Sequence, residues 1–110
     1  MASVPEISVA EAHSRLAGAQ PPRLIDVREP DEWALARIEG AELLPLSQWP
    51  VIAQEKLTDP AAPLLIQCHH GARSAQATAF LLRSGFTNVH NVAGGIDAWS
   101  LEIDSAVPRY

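Results

Sequence analysis

Four short strand-like runs, each separated from the next by a segment that reads as helix, set the limits on what this chain can fold into. They are "RLIDV" (23–27), "GAELLPL" (40–46), "APLLIQC" (62–68) and "NVHNV" (88–92). The third is almost continuously apolar rather than alternating, the pattern of a strand covered on both faces. Strands that are separated by helices pair side by side in parallel, because a crossover must return the chain to the same edge. The order therefore predicts a parallel sheet with helices on both faces, an α/β fold. In such sheets ligands sit beyond the carboxyl ends of the strands. The one cysteine, Cys68, closes the most apolar run at that end.

The connecting segments carry their own signals. Ser8 followed by Glu11 is a capping-box pattern, with Val9, Ala12 and Leu16 at helical spacing and Gly18 as the stop. Pro30 and Asp31 open a short helix carrying Trp33 and Ala36. Ser47 is placed to cap a helix running to about Lys56, with Pro50 in its first turn. "SAQATAFLLRSG" (74–85) is the clearest helix: Ala75, Ala79 and Leu82 line one face, Phe80 and Leu81 broaden it, and Gly85 ends it. "AGGIDAWSLEI" (93–103) turns at Gly94 and Gly95 into a last helix, and "DSAVPRY" (104–110) reads as irregular.

Length and charge narrow the function. The 110 residues suit one small domain, 1–110, with no repeat or linker. A net charge of -5 argues against a nucleic-acid partner and against a basic membrane-binding helix. No apolar run approaches the roughly 18 residues of a membrane span. "MASVPEISVAEAH" lacks the basic and apolar regions of a signal peptide. A lone cysteine excludes an internal disulfide and suits a reducing compartment, most simply the cytoplasm. Zinc needs about four ligands, and beyond His69 and His70 the sequence offers only His13 and His90, so no metal site is expected.

"CHHGAR" (68–73) is a tight turn between a strand and a helix that begins near Ser74. The first amides of a helix have no internal acceptor and lie at the positive end of its dipole. Gly71 permits a positive φ and close approach of a ligand. Arg73 adds a fork of charged donors, and His69 and His70 add more. The expected object is an anion cradle with a thiol at its base, surroundings that favour thiolate. The alternative use of a lone cysteine is as a small core hydrophobe.

These residues carry a resemblance. "LIDVREPDEW" and "QCHHGARSAQATAFLLRSGFTNVHNVAGGIDAW" resemble the single-domain rhodaneses, a thiosulfate sulfurtransferase-like family, over nearly the whole chain. The resemblance implies a three-layer α/β/α sandwich around a five-stranded parallel sheet. It implies that Cys68 takes up a sulfane sulfur as a persulfide, with no cofactor. His69, His70, Gly71, Ala72, Arg73 and Ser74 would then surround the bound donor, the loop amides cradling the outer sulfur and Arg73 binding an anionic donor such as thiosulfate. A thiol, cyanide or a sulfur-carrier protein would collect the sulfur. A protein-to-protein sulfur relay uses the same chemistry with little activity on free thiosulfate. Relatives resembling phosphatases or arsenate reductases carry a loop one residue longer, which leaves room for a tetrahedral oxyanion, so the loop Cys68–Arg73 favours sulfur transfer. One segment departs from the family: "ARIEGA" (36–41) has Arg37 and Glu39 where the family often has histidine and proline.

Other residues near the expected site suit structural roles. Asp26 and Arg28 suit a strand-end ion pair, and Trp33, Trp49 and Trp99 suit core or rim packing. Gly94 and Gly95 suit a simple turn, and the tail suits packing on the domain.

Overall fold

The computed structural model of the chain describes residues 4–110. Five strands are present, β1 (Glu6–Ile7), β2 (Arg23–Asp26), β3 (Glu42–Leu43), β4 (Leu64–Gln67) and β5 (Val89–Val92). Between and after them run α1 (Val9–Leu16), α2 (Pro30–Leu35), α3 (Val51–Lys56), α4 (Ala72–Arg83) and α5 (Gly95–Glu102). The sheet order is β1-β5-β4-β2-β3 and every pair is parallel. Side chains alternate across the sheet and build two cores. Ile25, Leu64, Ile66 and Val89 pack with Ala53 and Leu57 around α3 and with Ala77 and Leu81 of α4. Leu24, Leu65 and Val92 pack on the other face with Val9 and Ala12 of α1 and Ile96 and Trp99 of α5. This is a three-layer α/β/α sandwich around a five-stranded parallel sheet, the architecture the resemblance implies.

Local sequence accounts for most element ends. Ser8 caps α1, its side chain accepting from the Glu11 amide at 3.1 Å. The Glu11 carboxylate turns to Arg15 rather than back to the cap. Glu29 and Glu32 form a reciprocal capping box around Pro30 at the start of α2. α4 begins after Gly71, whose φ of 117° only glycine adopts without strain.

One strand was not foreseen, and three local expectations are corrected. β1 has only two residues, too few for periodicity to mark, and is held at the sheet edge by Asn91 N donating to Pro5 O and Ala93 N to Ile7 O, both at 2.8 Å. The strand expected over 40–46 shortens to Glu42–Leu43; Leu44 and Leu46 still donate to Asp26 O and Val27 O, but Pro45 between them has no N–H. Ser47 does not cap α3. Proline forces the preceding Trp49 into extended backbone, with ψ at 150°, so no helix can run from Ser47 through Pro50. Ser47 donates its hydroxyl to Glu29 instead. The buried face of α4 is Ser74, Ala77, Thr78 and Leu81, while Ala75, Ala79 and Leu82 are half-buried. Hydroxyls fit that face because they are partnered there: Thr78 Oγ1 donates to Ser74 O at 2.8 Å.

Candidate functional site

β2 and β4 lie side by side with Asp26 opposite Gln67, so their carboxyl ends reach the same edge of the sheet. Cys68 follows β4 there. Its side chain points to the α3–α4 face among Ile66, Val27 and Ala77, and it is 1% exposed. The sulfur nevertheless has polar partners. Gly71 N donates to Sγ at 3.1 Å, and Ser74 Oγ lies 3.3 Å away. The thiol thus forms the floor of the turn that leads into α4.

A second polar layer supports that turn. Asn91, at the end of β5, directs Nδ2 to Glu6 Oε2 at 2.9 Å and to Gly71 O at 3.2 Å. Both are acceptors, so the amide is oriented and Oδ1 faces Ser74 Oγ at 2.5 Å. Ser74 has one proton and three acceptors within reach, namely Asn91 Oδ1, Gly71 O and Sγ. Asn91 is the nearest, so the hydroxyl is anchored beside the sulfur.

α5 holds the turn from the other side. Ile96 N donates to Cys68 O at 2.8 Å and Asp97 N to His69 O at 3.1 Å. These bonds need close approach of two backbones, and Gly95 provides it. A Cβ there would sit 2.3 Å from Cys68 O and 2.7 Å from His69 O. The Gly94–Gly95 pair is thus more than a turn.

The rim differs in charge from the cationic cradle expected of "CHHGAR". Arg73 turns its guanidinium to Glu32 of α2 in a two-armed pair, at 2.5 and 2.8 Å. The carboxylate also accepts from Glu29 N at 3.1 Å and Tyr110 OH at 2.8 Å. Hydrogen bonding to Arg73 pulls the Glu32 carboxyl down to about 2, against the opposing effect of its burial. The same pairing raises Arg73 above the ordinary arginine value. Arg28 is fully buried and grips Asp26 through Nε and Nη2 at 2.7 to 3.1 Å, the structural ion pair expected. Its remaining N–H groups donate to Tyr110 OH, Ala36 O and Glu32 O.

His69 and His70 form the outer rim rather than the floor. Their rings lie 3.9 Å apart, and Tyr110 stacks on His69 at 4.0 Å and 8°. Burial, with His70 alongside, lowers the proton affinity of His69. His70 is exposed, with Nδ1 3.9 Å from Asp97. Ala72 opens α4 and faces solvent. The structure thus brings together Cys68, Gly71 and Ser74, and ties Arg73 to α2. In the departing segment, Arg37 lies over the Trp33 ring at 5.2 Å and lines a surface hollow of about 370 Å³ with Ile38 and Gly40. Trp99 lies in the core and Trp49 packs beside Phe80.

Sequence reasoning missed Glu32, Asn91, Gly95 and Tyr110 as members of the site. Glu32 had a legible role only as a helix-start acid, and Asn91 stood beside Asn88 and His90 in a short strand with nothing to single it out. Nothing in "DSAVPRY" marked Tyr110.

Chemically, the arrangement offers one thiol, a donor amide against it, an anchored hydroxyl and a rim of paired charges. A family model described as Rhodanese-like domain matches residues 8–102. A protein of Allochromatium vinosum named Sulfurtransferase is 38% identical over 97 residues, covering 88% of this chain and 89% of that one. The Rhodanese-like/PpiC domain-containing protein 12, chloroplastic, of Arabidopsis thaliana is 37% identical over 113 aligned residues, covering 97% of this chain; the chain spans only 38% of that protein's length. Among solved structures, a human single-domain sulfurtransferase is similar with a TM-score of 0.75 and 31% identity, covering 89% of this chain and 96% of that one. No helix among the described residues is long and apolar enough to cross a membrane.

Proposed function

Because the chain belongs to the rhodanese-like domain family, whose members include sulfurtransferases, we propose that it transfers sulfane sulfur through a persulfide on Cys68. The observation that carries this reading is the lone sulfur at the carboxyl end of β4, with Gly71 N at 3.1 Å and Ser74 Oγ at 3.3 Å. The Gly71 amide points its N–H at the sulfur that attacks, and Ser74, anchored on Asn91, lies beside it.

The step balances simply. The Cys68 thiolate attacks the sulfane sulfur of the donor, a new S–S bond forms, and the donor's own S–S bond breaks. The leaving group departs with the electron pair, as sulfite when thiosulfate is the donor. A thiol or cyanide then attacks the outer sulfur, and Cys68 is released as thiolate. This two-step shuttle needs one cysteine and no cofactor. The outer sulfur extends about 2 Å from Sγ, toward the amides of the turn and of the first residues of α4. His69 and His70 wall that space, and Ala72 and Arg73 lead into the helix. Arg73 borders the incoming donor in a pose fixed by Glu32.

Transfer to cyanide tests the proposal. Thiocyanate forms from thiosulfate or a persulfide donor with the parent and not with Cys68→Ser. Equal rates in the two proteins contradict it. The six-residue turn disfavours a phosphatase, and hydrolysis of a phosphate monoester by the parent would restore that reading. A relay that takes sulfur from another protein is supported by one observation, the cancelled charge of Arg73. A lone cysteine suits a reducing compartment such as the cytoplasm.

A further inference from the structure

Two arginines, Arg73 and Arg109, lie at the rim of the turn and a third, Arg28, is buried; each faces a carboxylate. Arg28 pairs with Asp26, Arg109 with Asp97 at 2.9 Å, and Arg73 with Glu32. Only Arg73 belongs to the turn itself. Both of its terminal nitrogens donate to Glu32, and both Glu32 oxygens accept, from four donors in all: two from Arg73, one from Glu29 N and one from Tyr110 OH. A carboxylate so gripped stays ionised throughout the neutral range. With His69 held toward its neutral form, the arginines leave little net charge at the mouth. The remaining attraction for an anion is the set of backbone amides.

We propose that Glu32 is a specificity-determining residue: by occupying both arms of Arg73 it disfavours a doubly charged donor such as thiosulfate and favours a terminal persulfide, R–S–SH, as the source of sulfur. This rests on the sulfur-carrying reading of Cys68. With R–S–SH the Cys68 thiolate attacks the outer sulfur, the donor's S–S bond breaks, and R–S⁻ leaves with the electron pair while the outer sulfur keeps its proton. No second anionic group must be lodged beside Glu32. Thiosulfate brings two charges that face the Glu32 carboxylate and find the guanidinium charge already balanced.

The test compares donors in the parent and in Glu32→Gln, with transfer to cyanide as the readout. The donors are thiosulfate and 2-hydroxyethyl persulfide, which has no other charged group. Removing one negative charge several ångströms from a dianion in a partly solvated mouth shifts the ratio of kcat/KM values about tenfold toward thiosulfate. If Glu32 only tethers the turn, both donors lose together and the ratio stays fixed; that result overturns the assignment. A persulfidated cysteine desulfurase as a third donor separates a protein carrier from a small-thiol carrier. Either carrier outperforming thiosulfate in the parent supports the preference, and thiosulfate outperforming both overturns it. Should the variant fail to fold, the parent alone decides through salt. A cancelled mouth gives thiosulfate a rate that is flat or rising between about 0.02 and about 0.3 M salt, whereas a several-fold fall reveals an exposed recruiting cation. Absence of sulfur on Cys68 with every donor contradicts the sulfur-carrying reading itself. Normal loading with an unchanged donor ratio contradicts only the role of Glu32.

Discussion

Replacing Gly95 by alanine tests how the turn is held. The added Cβ would lie 2.3 Å from Cys68 O and 2.7 Å from His69 O, roughly 1 Å inside ordinary contact. Both obstacles are backbone, so neither can swing aside. Relief requires the turn and the start of α5 to separate, which breaks Ile96 N to Cys68 O and Asp97 N to His69 O. Each of those bonds is worth about 1 kcal/mol net. The φ of 58° at Gly95 adds roughly 1–2 kcal/mol for a residue with a Cβ. The expected loss is about 3–4 kcal/mol. Gly85→Ala is the matched control: its φ is 96°, yet a Cβ there meets nothing within 4 Å, so it bears conformational strain alone. Urea unfolding of the three proteins measures the difference. Below the Gly95→Ala transition, sulfur transfer falls about a hundredfold, because a misplacement near 1 Å is enough to spoil a reacting geometry. Equal stability of the two variants, or parental transfer by Gly95→Ala, refutes the idea that α5 sets the turn.

Three further outcomes follow from the rim. Glu32 titrates near 2 in the folded chain against an ordinary 4.5, so its contribution to stability is complete above about pH 5 and disappears as pH falls toward 2; the urea-midpoint gap between the parent and Glu32→Gln narrows over that window, and a constant gap contradicts the pairing. Arg28→Ala leaves Asp26 buried without a counter-charge and costs about 3–5 kcal/mol by urea unfolding, whereas a loss below about 1 kcal/mol contradicts it. Arg73→Ala lowers kcat/KM for thiosulfate severalfold more than it slows alkylation of Cys68 by iodoacetamide, and equal thiosulfate kinetics in variant and parent contradict a donor-bordering role.

Local signals carried much of the fold. β2 and β4 were legible because Leu24, Ile25 and Leu64–Ile66 are adjacent apolar residues, and β5 because Val89 and Val92 sit between the glycines Gly85 and Gly94. α1 was legible from Ser8 and Glu11. β1 was not, because two residues cannot display a period and its pairing depends on Asn91, far along the chain. The floor of the site was legible as well: a thiol after the most apolar strand, then Gly71 before a helix. The electrostatics of the rim were not. Arg73 reads as a free cation until it is known that Glu32, 41 residues earlier, lies across from it. Tyr110 meets Glu32 from 78 residues away, and no local pattern encodes such a contact. Gly95 reads as a turn residue because the atom that excludes a side chain, Cys68 O, belongs to another element.

Intact-mass measurement after exposure to a sulfane donor probes Cys68 most directly. The account predicts a gain of one sulfur atom per chain, mapped to the peptide holding Cys68, reversed by cyanide and absent in Cys68→Ser. An unchanged mass with thiosulfate and with persulfide donors alike, or sulfur retained in the serine variant, contradicts it.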